Sequence, residues 1–190
     1  MSDQIFPIQL ASGAAGTFRP VAPTDGPALG RYFLGLSDET RRRFGPHPLD
    51  QATADRLCAA IDPRDTLRMV ACLPAGAGEE IVAYIILRLG VTDSERSRYA
   101  GYGIALDPAG DCTVAPSVAD ALQSQGLGSL LMPLLLGVAR QVGRRRAVLL
   151  GGTQAANQRA VHFYRKHGFR EVGAFEHPPG AWNYDMVVEL

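Results

Sequence analysis

Cysteine is scarce in this chain, and neither sign of charge is in surplus. Cys58, Cys72 and Cys112 are odd in number, far apart and without metal-ligand spacing. That excludes a disulfide framework and a zinc site, and it favours reduced thiols in a reducing, cytoplasmic compartment, each thiol a small buried apolar group. The 19 basic side chains match 19 acidic ones, so the overall balance gives no signature of nucleic-acid or anionic-membrane binding. No secretory signal is expected: Asp3 stands where a basic region belongs, and no long apolar core follows it. The most apolar run, residues 127–138, is too short to cross a bilayer and contains Pro133. Internal repeats are absent. What remains is a chain of 190 residues, nearly half of them apolar, which is one domain of ordinary size with enough side chains for a core. Residues 1–16, with a small-residue stretch at 11–16, are expected to be a flexible leader, and residues 17–190 the domain.

The usual phosphate motifs are missing as well. The stretch Gln123-Ser124-Gln125-Gly126-Leu127-Gly128-Ser129 has no Lys-Ser/Thr after its glycines and no third glycine in dinucleotide-binding spacing. Yet a strand-like run, residues 112–118, ends just before it, and an apolar helix pattern begins inside it. Glycines there let a ligand approach the backbone, while the first unpaired N–H groups of the helix point outward. A helix N-terminus carries roughly half a positive charge, so a phosphate or pyrophosphate can rest there without a lysine. Simple packing of a loop onto a helix is the alternative reading of the motif taken alone.

Residues 157–167 read as a second helix, closed by Gly168-Phe169 with glycine where a left-handed C-cap is wanted. Asn157, Ala160, Val161 and Tyr164 fall on one stripe at i, i+3, i+4 and i+7. The stripe is polar at both ends and separates an amide from a phenol by about 10 Å at ~1.5 Å per residue, a spacing that suits an extended ligand.

With these residues in place the chain resembles the GCN5-related N-acetyltransferases (GNAT), which use acetyl-coenzyme A. The family's pyrophosphate motif, Gln/Arg-x-x-Gly-x-Gly/Ala, is matched by Gln123, Gly126 and Gly128. Its C-terminal pattern is matched by Asn157, Phe163-Tyr164 and Gly168-Phe169. The resemblance implies an α/β fold: a central, mostly antiparallel mixed sheet with a splayed parallel strand pair and helices on both faces. It implies a cytoplasmic N-acetyltransferase that moves an acetyl group from acetyl-CoA to a primary amine by direct attack, without a metal, a nucleic acid or a membrane, and it admits a homodimer. Cofactor contacts are expected from Gln123, Ser124, Gln125, Gly126, Leu127, Gly128 and Ser129. Backbone N–H groups around Val118 and Ala119 are expected at the thioester carbonyl, Asn157 on the pantetheine arm, and Tyr164 as the general acid for the departing thiolate.

Two departures from the family stand out. Relatives often carry a glutamate base in the strand before the glycine motif, where this chain has Cys112-Thr113-Val114-Ala115. Asp111, Asp120, His47 or a water relay are the candidates left. The phosphate loop is also neutral; Arg144, Arg145 and Arg146, or Arg159, Arg165 and Lys166, would either meet the 3′-phosphate or be a solvated surface. An acyl-CoA sensor without turnover is therefore the alternative function. Trp182, Tyr184 and the Pro178-Pro179 loop are candidates for one wall of the acceptor groove.

The element pattern is strand, helices, strands, helix, strand, helix and a final strand pair. Residues 17–21 read as a strand, Pro27 as first-turn proline of a helix, Ser37 and Asp50 as helix caps, and residues 66–73 with 81–89 as a hairpin. Residues 99–106 and 112–118 are expected to form a second hairpin. Pro116 is out of place in a central strand, and the implied splay at that strand supplies its reason.

Overall fold

The computed structural model describes residues 4–76 and 78–190. Nine strands join in the order β1-β2-β3-β4-β5-β6-β9-β7, with β8 also on β9. The chain divides into two compact units, one of Met1–Ile86 with Ala115–Leu131 and the other of Leu87–Val114 with Met132–Leu190.

In the first unit β1 (Phe6–Gln9) pairs antiparallel with β2 (Ala15–Pro20), and β2 with β3 (Thr66–Ala75). Residues 6–9, 15 and 16, expected in a flexible leader, thus belong to strands. Phe6 stands opposite Phe18 in that ladder, with their rings 6.2 Å apart; apolar pairing of this kind fixes a strand that composition alone leaves undecided. The first three residues of the expected leader lie outside the described residues. Helix α1 (Gly26–Gly35) opens with Pro27 in its first turn and buries Leu29, Tyr32 and Phe33. Ser37 accepts from the Thr40 N–H to cap α2 (Asp38–Arg43), and Asp50 accepts from the Thr53 N–H to cap α3 (Gln51–Ala59), each oxygen satisfying one of the orphan donors of a helix start. Strand β4 (Gly78–Arg88) is buried from Ile81 to Leu87.

In the second unit α4 (Asp93–Gly101) takes the first three of the residues 99–106 that read as a strand, and the rest form no strand. Residues 99–106 are not a hairpin partner of β5. The helix is nucleated by a reciprocal cap: Thr92 Oγ1 accepts from the Glu95 N–H at 3.1 Å, and Glu95 accepts from the Thr92 N–H at 2.7 Å. Tyr99 then points inward among Val91, Leu106, Val148 and Val187, with its hydroxyl donating to the Met186 carbonyl at 2.8 Å. Packing of one aromatic with a satisfied hydroxyl thus overrides the apolar, unpatterned look of the run.

Strand β5 (Asp111–Val118) pairs in parallel with β6 (Arg146–Leu149), with Asp111 opposite Arg146 and Val114 opposite Leu149. β6 and β7 (Thr153–Gln154) follow one another along one edge of β9 (Trp182–Glu189), and β8 (Arg170–Glu176) lies on its other edge. Asp111 is fully buried and holds Arg146 at 2.6 Å and the Asp107 N–H at 2.7 Å. Asp185, also fully buried, holds Arg98 at 2.9 Å. Charges so deep are paired, as they must be. Cys58, Cys72 and Cys112 are buried free thiols, and burial pushes the Cys112 thiol up to about 12.

Candidate active site

The parallel ladder from β5 reaches its last rung where the Leu150 N–H donates to the Val114 carbonyl at 3.0 Å. In a parallel pair the next rung needs an N–H from residue 116, and residue 116 is proline. The oddity in the sequence is therefore the device that stops the ladder. On the opposite edge the Ala119 N–H donates to the Val82 carbonyl at 2.9 Å. Because successive N–H groups of a strand point to alternate edges, Val118 presents its N–H on the edge where Pro116 has none. Of the two amides expected at the thioester, Ala119 is engaged by β4 and Val118 is the one on the open edge.

The glycine stretch turns through two left-handed residues. Gly126 has φ +89° and its carbonyl accepts the first helical bond, from the Leu130 N–H at 2.9 Å, so it sits at the start of α5 (Leu127–Gln141). Ser124 is also left-handed, at φ +61°. A Cβ on Gly126 would meet nothing within 4 Å, which leaves the helix start open to a ligand. Leu127 is buried, Gly128 and Ser129 are half-buried, and Ser124 and Gln125 are exposed. The Gln123 side chain, expected among the phosphate contacts, faces inward instead. Its Nε2 donates to the Val118 carbonyl at 3.0 Å and to Thr40 Oγ1 at 3.1 Å. The Gln125 amide likewise donates to the Ala121 carbonyl at 2.5 Å. Backbone donors and the helix end are what this loop offers an anion.

Asp120 is part of the same brace. Its carboxylate accepts from the Ser37 N–H at 2.8 Å, Ser37 Oγ at 2.8 Å and Thr40 Oγ1 at 2.6 Å. Burial alone would raise its pKa, but the hydrogen bonds from Thr40 and Ser37 outweigh that and hold it below the ordinary carboxylate value. A carboxylate so engaged is a poor proton acceptor. Asp111, bound to Arg146, is no better placed. Thr113, in the β5 segment that carries no glutamate, is buried, and among the described residues its hydroxyl has no partner.

His47, another of the candidate bases, is half-buried on the loop between α2 and α3. Its ring lies among Phe33, Phe44 and Tyr84, with Nε2 3.2 Å from the Tyr84 hydroxyl. Burial, more than any neighbouring charge, lowers its pKa. Nothing in the sequence pattern signals this cluster, because its members come from α1, the α2–α3 connection and β4. A groove of about 350 Å³ also opens beside α1, lined by Arg31, Tyr32, Glu79, Glu80 and Ile81 among others. Its charges are mixed and select neither sign of ligand.

Asn157 and Tyr164 belong to the second unit, Tyr164 on α6 (Gln158–Lys166) and Asn157 as its N-cap. Asn157 Oδ1 caps the helix by accepting from the Ala160 N–H at 3.2 Å, which leaves its Nδ2 as the donor for a ligand. Gly168 follows the helix at φ +83°, the left-handed position expected of it. Tyr164 packs edge-on against Phe163 and Phe169, with ring centroids 5.3 and 5.4 Å away. Burial raises its pKa far above the ordinary phenol value, so the proton stays in place at any working pH.

The arginine cluster after α5 is occupied. Arg144 donates to the Ala109 carbonyl, Arg145 pairs with Asp107 at 2.5 Å, and Arg146 pairs with Asp111. These residues clamp the turn before β5. Arg165 pairs with Glu171 at 3.0 Å, while Arg159 and His162 are exposed on α6. Among the described residues no group of three or more His, Cys, Asp or Glu side chains is arranged to hold a metal ion, and no helix is long and apolar enough to cross a membrane.

A mostly antiparallel mixed sheet with one parallel strand pair, with helices between its strands, is the layout of an acetyltransferase fold. The chain belongs to the acetyltransferase (GNAT) family, whose model matches residues 35–169. Solved structures of the same fold include the GNAT domain of S. lividans PAT, 22% identical with a TM-score of 0.72 over 98% of this chain and 97% of that one. Mycobacterium smegmatis RimJ, solved in complex with CoA-disulfide, is 17% identical with a TM-score of 0.71 over 100% of this chain and 87% of that one. AAC(6')-Ib, solved with paromomycin and acetyl-CoA, is 19% identical with a TM-score of 0.66 over 90% of this chain and 92% of that one. Among curated proteins none matches the sequence.

Proposed function

We propose that this protein transfers an acetyl group from acetyl-CoA to a primary amine by direct attack on the thioester. The observation that carries the reading is the open, left-handed Gly126 at the start of α5, one short loop beyond the unpaired edge of β5. The pyrophosphate would rest on the backbone donors of residues 124–129 and on the helix end. Asn157 Nδ2 would hold the pantetheine arm, the Val118 N–H would receive the charge that develops on the thioester oxygen, and Tyr164 would protonate the departing thiolate. Structural relatives solved with CoA-disulfide or with acetyl-CoA and an aminoglycoside support the class of ligand. The acceptor is an amine of small-molecule or peptide origin.

Two measurements test this reading. Thiol release from acetyl-CoA is followed with a panel of amines; tight coenzyme A binding with no release on any amine would favour a sensor instead. The phosphate site is tested by comparing Gly126→Asp with Gly126→Asn. The two are isosteric and tolerate a positive φ about equally, so their difference reports charge alone. Gly126→Asp should bind coenzyme A about tenfold more weakly than Gly126→Asn, as a carboxylate placed against an anion at a helix end implies. Equal affinities would place the pyrophosphate elsewhere.

A further inference from the structure

We propose that His47 is the general base that takes the proton from the acceptor's ammonium group. The inference rests on the acetyl-transfer reading and adds the group that β5 does not supply.

The geometry of the imidazole sets its chemistry. Nδ1 lies 2.8 Å from the Pro48 carbonyl. A carbonyl only accepts, so Nδ1 carries the proton of the neutral ring and Nε2 carries the lone pair. That lone pair receives the Tyr84 hydroxyl at 3.2 Å, a long contact that a better donor can replace. The rings of Phe44, Phe33 and Tyr84, at 5.2, 5.6 and 5.7 Å, fix the imidazole in place.

The position follows from the strand that carries Tyr84. β4 is the neighbour of β5 in the sheet, and the Ala119 N–H donates to its Val82 carbonyl. Ser117 is fixed by Tyr32, whose hydroxyl lies 2.9 Å from Ser117 Oγ. Ser117 is the residue before Val118, which presents the open N–H. His47 is thus joined through one side chain to the strand beside the segment proposed to hold the thioester oxygen. Asp111 and Asp120, the other candidates within reach of β5, are held by Arg146 and by Ser37 with Thr40.

A base has to be empty when the substrate arrives. Burial is the largest influence on His47 and favours the neutral ring. Arg68 on β3 and Arg56 on α3 act in the same direction, Asp50 at the start of α3 opposes them, and the Pro48 carbonyl favours the charged form. Tyr84 from β4 is neutral at working pH, burial having raised its pKa. Phe33 and Phe44 carry no charge. The balance keeps His47 unprotonated through the neutral range.

The proton accounting closes. The ammonium gives one proton to Nε2, displacing the Tyr84 hydroxyl, and the ring later releases it to water. The free amine forms the C–N bond as the carbonyl π pair moves to oxygen. Collapse of the intermediate breaks the C–S bond, Tyr164 protonates the sulfur, and one of the two N–H protons on the acylated nitrogen replaces the one Tyr164 gave up, the other staying on the amide. The sum is amide, free thiol and one proton to solvent.

The test is kcat/KM against pH with one accepted amine, for the wild type, His47→Gln and Arg68→Gln, with coenzyme A affinity and thermal melting as fold controls. Wild type should reach a plateau from an acidic limb centred below the ordinary histidine value of about 6.5. His47→Gln should lose that limb, climb with unit slope toward the amine's own pKa, and run about 10²-fold or more slower at pH 7. Arg68→Gln removes a charge that opposes the imidazolium and should move the limb to higher pH, a change that a packing role for His47 does not produce. Absence of turnover with every amine would sink the acetyl-transfer reading and this one with it. Turnover with the same acidic limb in His47→Gln would sink this one alone.

Discussion

Tyr164 shows what a single residue can and cannot announce. Its place seven residues after Asn157 is legible in the sequence, because helical periodicity is a local property. Its environment is not. The phenol sits between Phe163 and Phe169 with its proton held by burial. Tyr164→Phe keeps those ring contacts and removes only the proton donor. The expected outcome is unchanged coenzyme A affinity with kcat lowered by about 10²-fold. Equal turnover in the two proteins would reduce Tyr164 to a packing aromatic and require the thiolate to leave unaided. Gln123 illustrates the opposite case. The motif places it in the loop, and its amide binds Thr40 and the Val118 carbonyl; no local pattern reports a partner 83 positions away in the chain. The same holds for Arg146, offered by the sequence as a phosphate contact or a surface residue, and Asp111, offered as a base: they form an ion pair with the carboxylate fully buried.

At the scale of elements, legibility depended on whether the signal was local. Caps at Ser37 and Asp50, first-turn Pro27 and the Gly168 C-cap all appear where the sequence placed them. The expected strand at residues 99–106 is overturned by α4, although Thr92-Asp93-Ser94-Glu95 carries the Thr-x-x-Glu signature of a helix start. That cap gives a direct prediction. Thr92→Ala removes the acceptor for the Glu95 N–H and should lower unfolding stability by about 1 kcal/mol, measured by urea denaturation. Loss of less than a few tenths would mean that Tyr99 and the Val91, Leu106, Val148 and Val187 cluster hold α4 without its cap. Strand β5 makes the complementary point. Pro116 looks like an error in a central strand until the ladder beside it is seen to end at Val114, where a missing donor costs nothing further.

For the whole molecule, the balance of charges gives no field to speak of, so the pH dependence of stability falls to individual groups with displaced pKa values. His47 is lowered chiefly by burial, and His167 by burial and then by Lys166. A histidine lowered in the folded state binds its proton more readily when unfolded. Its contribution is therefore intact above the unfolded value of about 6.5 and is lost as pH falls through the folded value. Carboxylates act later. Asp50 and Asp107 are lowered chiefly by backbone hydrogen bonds, from Thr53 and Ala109, and Asp62 chiefly by its hydrogen bond to Arg64; their contribution is complete above about 4 and fails only below it. The urea midpoint should accordingly hold steady from pH 8 to 7, decline from about 6.5 toward 5 as the histidines charge in the unfolded chain, and fall again below about 4. His47→Gln should flatten the first decline in part and His167→Gln should remove most of what remains, while neither touches the second. A midpoint that stays level between pH 7 and 5 in the wild type would mean that both rings take up protons without leaving their surroundings, and a neutral His47 would then lose its support as a base.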